Sequence, residues 1–390
     1  MNNTALTKIP IPHSKVSITP EELSLFQTVS SYHISFSLTL DCPLQCAHCI
    51  VGAGPDKKDL TLSMESARHY ADQMQELFTY GIRSVGFTGG EPILAEKQLK
   101  LLSDTAYSVG MLCGVVTSAF WAKDPNMAES IIERYPGIKI WDISVDKYHA
   151  QFVSLSVVRK AYEILRQRNK TVNIRFVYHD SLDHRDIKII ESINDFAQDI
   201  EINFQRLRNY GRAKDTVVNS SFDCNPWSKP CLTTGMVIRY DDSVAPCCCS
   251  MIEERNHPFQ FGNGREKTLL EIHRDFISYP LLQLMRTIGF SELMTWLMER
   301  PELMDRLPDM LPDDICDLCP ILFSDKEIGS YLSQRAAQPA NVLKTAVLAC
   351  KILKEKEMLK RLVKDYQGRK INFKDLELIE AMLNDMEHQI

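Results

Sequence analysis

Between residues 34 and 207 strand-like and helix-like segments alternate six times, and this alternation constrains the fold more than any other feature of the chain. Short runs rich in Val, Ile, Phe or Thr fall at 34–40, 84–88, 114–118, 138–145, 171–178 and 200–207. Such β-branched and aromatic runs suit strands. Amphipathic stretches lie between them at 63–80, 96–109, 126–135, 154–168 and 183–196. Strict alternation argues for parallel βα units with right-handed crossovers. Six such units make an open barrel, so the expected core is α/β, a partial (βα)6 TIM-like barrel. Chemistry in such barrels sits at the C-terminal ends of the strands. Cys42 follows strand one there and Glu91 follows strand two; Thr117 and Ser118 end strand three; Asp142, Ser144 and Asp146 lie in or after strand four.

The segment Asp41-Cys42-Pro43-Leu44-Gln45-Cys46-Ala47-His48-Cys49 spaces three cysteines as C-x3-C-x2-C. Cubane iron–sulfur clusters are normally held by four thiolates. A compact three-thiolate loop therefore leaves one iron open to a small molecule. Zinc would more often show paired C-x2-C units or His ligands at repeating spacing. Disulfides fit poorly, because 12 cysteines are spread over 390 residues with no secretory leader. About forty residues on, Phe87-Thr88-Gly89-Gly90-Glu91-Pro92 closes a short apolar strand. Two glycines there let a ligand approach the backbone closely, and Glu91 adds a carboxylate for a cation.

Together these motifs resemble the radical SAM superfamily, in which the open iron chelates S-adenosylmethionine (SAM). The resemblance implies a [4Fe-4S] cluster on Cys42, Cys46 and Cys49. It implies cofactor contacts from His48, Gly89, Gly90, Glu91, Ser118, Ser144, Asp146 and Arg212, with the Gly-Gly-Glu-Pro gripping the SAM amino group. Asp146 has a second reading, as a cap of the segment that follows it. Lys147 and His149, in the same loop, either face substrate or, in the plainer reading, are solvated loop positions. Arg212, in Gly211-Arg212-Ala213, is either part of a linker turn or a bidentate partner of the SAM carboxylate.

The remaining cysteines form a second constellation. Cys224 and Cys231 precede two short strands around Asp241-Asp242, a predicted hairpin; Pro246-Cys247-Cys248-Cys249 and then Cys316-Asp317-Leu318-Cys319 follow. This order resembles the SPASM and Twitch domains appended to many radical SAM enzymes. A full SPASM domain has seven cysteines, and here only Cys350 follows Cys319. The resemblance thus implies the shorter form, with one auxiliary [4Fe-4S] cluster on Cys231, Cys247, Cys316 and Cys319. Cys224, Cys248 or Cys249 can replace a member of that set, and a structural zinc on the same residues is the competing reading. Neighbours on an extended segment point to opposite sides, so with Cys247 on the cluster, Cys248 faces away and Cys249 returns. A spare thiol at Cys248 or Cys249 is a candidate hydrogen-atom donor; the plainer reading is a packed, inert cysteine. Cys113 and Cys350 read as small packed hydrophobes.

The expected organisation is an N-terminal segment 1–31, the barrel 32–215, a small hairpin and helical auxiliary-cluster domain 216–322, and a helical extension 323–390 broken at Gln338-Pro339. A net charge of -6 gives no support for nucleic acid. No apolar run approaches the roughly 20 residues a membrane span needs. Many free thiols point to a reducing, cytoplasmic setting. The resemblance implies an enzyme that reductively cleaves SAM to a 5′-deoxyadenosyl radical and abstracts hydrogen from an unactivated carbon, fed by a reductant such as flavodoxin or ferredoxin. Its substrate is read first as a ribosomally made peptide, to be crosslinked, epimerised or oxidised, and second as a small metabolite such as a sugar or aminoglycoside. Against the peptide, the roughly 30 residues before strand one are too few for a separate leader-binding domain. A non-catalytic iron–sulfur electron carrier is the reading from another class, and it has no need of Gly89, Gly90 and Glu91.

Overall fold

The computed structural model describes residues 20–214, 226–233, 235–309, 311–312 and 314–366. Six parallel strands form the expected partial barrel: β1 (His33–Ser37), β2 (Ser84–Thr88), β3 (Leu112–Thr117), β4 (Ile138–Ser144), β5 (Thr171–Tyr178) and β6 (Glu201–Arg206). They pair in sequence order from β1 to β6. Side chains alternate across the sheet with period two. Ile34, Phe36, Trp141, Ile143, Ile174 and Phe176 are buried in the main core. Ser35, Gly86, Gly114, Asp142 and Arg175 line the barrel cavity instead. One face is thus greasy and packed, and the other is small or polar and hollow.

The helices begin where side chains can satisfy the first free N–H groups. Ser63 caps Met64–Ala71, Asp124 caps Pro125–Arg134, and Asp183 with Asp186 forms a capping box on His184–Phe196. The stretch 63–80, expected as one helix, is two, Met64–Ala71 and Met74–Tyr80. The chain tightens between them, where Gln73 N donates to Tyr70 O, and the Gln73 side chain accepts from Leu269 N at 2.7 Å. A contact from two hundred residues away therefore holds the break.

The hairpin is present as β7 (Met236–Arg239) and β8 (Val244–Ala245), antiparallel to each other. It does not stand apart. β7 pairs in parallel with β1, so one eight-stranded sheet runs β6-β5-β4-β3-β2-β1-β7-β8. The described residues after it are helical, from Leu269–Ile277 through Ile315–Phe323 to Glu357–Tyr366, with the expected break before Pro339. Cys113 and Cys350 are buried, as small hydrophobes should be. Among the described residues no helix is long and apolar enough to cross a membrane.

Candidate functional site

Strand one leaves the sheet earlier than its apolar run suggests. Residues 38–41 pair instead with the loop beyond: Leu40 N donates to Leu60 O at 2.8 Å, Leu62 N to Leu38 O at 2.8 Å and Gly54 N to Leu40 O at 3.0 Å. These bonds pin both sides of the loop that carries Cys42, Cys46 and Cys49. All three thiols line one cavity of roughly 2290 Å3. They lie within electrostatic reach of one another, and burial pushes Cys42 and Cys46 up to about 12. Two thiols that resist ionisation unless a cation joins them, with a third beside them on the same loop, suit a metal cluster, whose positive charge reverses that cost.

Gly89 and Gly90 close the loop from below. Gly89 has φ +138°, and a Cβ on either glycine would collide with backbone, Thr39 O for Gly89 and Asp41 O for Gly90. The glycines are thus demanded by packing on the strand-one extension, and both also line the cavity. The Glu91 carboxylate is buried and accepts from Thr117 Oγ1 (2.8 Å), Ser118 N (2.9 Å) and Ser118 Oγ (2.7 Å). Burial pushes Glu91 up, opposed by those donors. The carboxylate thus ties the end of β2 to the end of β3, and Ser118 lines the cavity from this brace.

Asp146 is both a cap and an organiser. Oδ1 accepts from Tyr148 N and His149 N, each at 2.9 Å, and Oδ2 faces His149 Nδ1 at 2.8 Å and His48 Nε2 at 3.7 Å. Burial raises Asp146, but His149 and the N–H donors outweigh it and hold the carboxyl at about 2. His48 is buried and pushed down to about 4, stacked on Tyr148 at 4.7 Å. Its Nδ1 has no hydrogen-bond partner among the described residues. His149, read either as facing substrate or as a solvated loop position, lines the cavity beside Ser144 and Asp146. The signal for it was Asp146-x-x-His149, where a capping aspartate returns the third residue to its own side chain. Lys147, in its plainer reading a solvated loop position, is instead partly buried and bonded to Asp183 at 2.8 Å and Asp186 at 3.2 Å.

Arg212 latches the cysteine loop. Its backbone N donates to Cys49 O and its Nε to Cys46 O, each at 3.0 Å, while Nη1 donates to Ala53 O. Gly211 has φ +56°, and a Cβ there would strike Cys49 O. The linker turn and the cavity contact are one structure: the backbone N and two guanidinium nitrogens, Nε and Nη1, bond the loop, and Nη2 remains buried without a partner among the described residues.

The later cysteines converge from three segments. Cys231, Cys247, Cys249, Cys316 and Cys319 interact electrostatically, and the Cys316 thiol donates to Cys249, which lowers Cys249 and raises Cys316. Cys248 packs against the small apolar cluster that contains Leu40, Val51 and Val237, while Cys247 packs against the main core. Cys248 also lies within electrostatic reach of Cys247 and Cys231, and all three thiols of 247–249 line the cavity. Cys224 lies outside the described residues. Arg208, which sequence reading passed over, bonds Asp314 at 2.5 Å and Asp317 at 3.5 Å, and Tyr210 Oη donates to Cys316 O at 2.6 Å. The end of β6 thereby grips the helix that carries Cys316 and Cys319.

No family model matches this chain. It is similar to YydG of Bacillus subtilis (strain 168), a protein named for peptide biosynthesis, with 23% identity over 313 residues, 77% of this chain and 95% of YydG. Among solved structures it resembles native anSMEcpe with bound AdoMet, at 17% identity and TM-score 0.47, covering 79% of this chain and 99% of that one. It also resembles BtrN in complex with AdoMet and 2-DOIA, at 14% identity and TM-score 0.41, covering 65% and 87%.

Proposed function

We propose that this chain is a radical SAM enzyme and that it modifies a ribosomally made peptide at an unactivated carbon. One observation carries the peptide reading: the site is a single cavity of roughly 2290 Å3 lined by both thiol groups. Small-ligand sites run to about 300–1,000 Å3, so space for a chain segment remains beside SAM. Similarity to YydG, named for peptide biosynthesis, supports the same substrate class.

Cys42, Cys46 and Cys49 would hold the [4Fe-4S] cluster, and four of Cys231, Cys247, Cys249, Cys316 and Cys319 the auxiliary one. When bound, the first cluster with SAM on its open iron supplies reductive cleavage of the sulfonium and a 5′-deoxyadenosyl radical for hydrogen abstraction, with the electron from a flavodoxin or ferredoxin. The chain's own residues position and shield that chemistry. Gly89 and Gly90 present backbone to the SAM amino group. Ser118, Ser144, His48 and His149 line the wall for the rest of the cofactor, and Arg212 holds the cysteine loop with Nη2 left for a carboxylate. Glu91 and Asp146 act behind these groups, as brace and as orienter of the two imidazoles.

Cys248, which lines the cavity, is the proposed donor of a hydrogen atom to a substrate carbon radical; Cys249, which bonds Cys316, is taken as a cluster ligand. Its S–H bond breaks as the new C–H bond forms, and the thiyl left behind takes one electron from the external reductant and one proton. Epimerisation follows from that step, whereas crosslinking or oxidation does without it.

The test is mass spectrometry of reduced, reconstituted enzyme with SAM and the peptides encoded beside its gene. A peptide changed in mass or in residue configuration is the expected result; turnover of a sugar or aminoglycoside with every peptide unchanged would overturn the reading. A second reading has its own observation: ligand atoms of Cys46, His48 and His149 all lie within 4.8 Å of one another, a spacing suited to a single ion. Zinc in place of iron at the first loop would favour it.

A further inference from the structure

The site leaves unexplained a charge pair buried behind Cys231. Arg286, on helix Pro280–Ile288, and Glu355 both have side chains 0% exposed, and Nη1 meets Oε1 at 2.8 Å. The whole guanidinium fork is used. Nε donates to Gln27 Oε1 at 3.1 Å, Nη1 also to Gln283 Oε1 at 3.0 Å, and Nη2 to Gln27 O at 3.2 Å and to Ser31 Oγ at 2.8 Å. Ser31 Oγ in turn donates to Glu355. Three parts of the chain meet here: the N-terminal helix Pro20–Ser31, the helix of Arg286, and the turn after the π-helical segment Ala349–Leu353.

Two bonds lead from this hub to Cys231. Gln27 Nε2 donates to Cys231 O at 2.8 Å, and Cys231 N donates to Met285 O at 2.9 Å. Cys231 itself lies in neither helix nor strand. Its backbone position is therefore set by these two bonds rather than by secondary structure. A buried ion pair is a weak source of stability, because desolvating two charges offsets their attraction, and its best-attested use is to fix one geometry.

We propose that Arg286 and Glu355 are positioning residues that seat Cys231, so that residues 20–31 and 349–355 complete an auxiliary cluster site which the cysteine-bearing region cannot complete alone. This rests on the auxiliary cluster proposed above. The hub acts at a distance from the chemistry, through Gln27, and touches no substrate.

The experiment starts from the chain with Cys42, Cys46 and Cys49 all changed to Ala, in which iron can sit only at the auxiliary site. That protein should hold about four irons, and adding Arg286→Met should leave fewer than about one, with loss of the cluster's electron paramagnetic resonance. In the otherwise native chain Arg286→Met should keep the first cluster and SAM cleavage. Adding Glu355→Leu to Arg286→Met gives an apolar pair and should restore the auxiliary iron. An auxiliary signal unchanged by Arg286→Met, or a folded double variant that stays empty, overturns the proposal. Should Arg286→Met fail to fold, Gln27→Met is read instead; it keeps the ion pair, cuts the bond to Cys231 O, and should shift the auxiliary spectrum, an unshifted one counting against the proposal. A triple-Ala background that holds no iron removes the auxiliary cluster itself and this inference with it.

Discussion

The two thiol groups of this protein are built in opposite ways. Cys42, Cys46 and Cys49 come from one short loop whose ends are stitched to residues 54–62 and braced from below by Gly89 and Gly90. Cys231, Cys247, Cys249, Cys316 and Cys319 come from three segments, brought together by helices that pack long after the hairpin in sequence. A local site depends on spacing and on a few backbone bonds, so it tolerates change elsewhere. A site assembled from distant segments depends on every contact that docks them, and here those include Arg208 with Asp314 and Gln27 with Cys231. Damage should therefore spread in one direction only.

The largest effect separates the groups by chemistry. Replacing Cys42, Cys46 and Cys49 together by Ala should cut 5′-deoxyadenosine formation from SAM by about 100-fold or more, measured on reduced, reconstituted protein by chromatography. Cleavage that survives the triple change would refute the assignment of the open cluster to this loop.

Iron content sharpens the contrast. The native chain should carry about eight irons, two four-iron clusters, falling to about half in the triple variant. Cys319→Ala should also lose about half the iron yet keep SAM cleavage within about threefold, since the first loop does not lean on the second site. Near twelve irons in the native chain would reveal a third cluster, and zinc beside four irons would make the auxiliary site structural.

Glu91 tests whether the brace or direct contact matters at the first loop. Glu91→Gln puts an amide donor against Thr117 and Ser118, which already donate, so a buried mismatch costing about 1–3 kcal/mol is expected. Thermal melting should register that loss, and the KM for SAM should rise while iron content holds. A normal melting temperature with SAM binding abolished would mean that the carboxylate meets the cofactor directly.

The smallest contrast lies between adjacent thiols. Cys248→Ala should stop solvent deuterium from entering product in D2O while leaving SAM cleavage intact. Cys249→Ala should act through the auxiliary cluster, lowering iron or shifting its spectrum, because Cys249 pairs with Cys316. Full turnover in both variants, with no deuterium in the native product, would sink the hydrogen-donor step and favour a crosslinking or oxidising enzyme.

The six strands were legible because each is a short β-branched run between amphipathic stretches, and two of them, Ser84–Thr88 and Thr171–Tyr178, have the bounds expected. Strand one was overextended, since 38–40 is as apolar as a strand but pairs with the cysteine loop. The helix at 63–80 was read as continuous because its break is held by Leu269, which no local pattern reports. At the site, residue types were visible and their orientation was not. Glu91 looked like a free carboxylate until Thr117 and Ser118 claimed it, and His149 looked solvated until Asp146 turned it inward.

By itself, then, the amino-acid order determined what depends on near neighbours: the alternation that makes parallel βα units, the three-thiol loop and the glycine turn behind β2. Tertiary structure alone decided what depends on distant partners. It joined the hairpin to β1 in one sheet, spent Glu91 as a brace, and chose which thiols share a site. It also buried Arg286 against Glu355 beside Cys231. The physical reason is the range of the forces involved. Backbone preference and side-chain periodicity act over a few residues, whereas desolvation and hydrogen-bond satisfaction are settled only when the whole chain has packed.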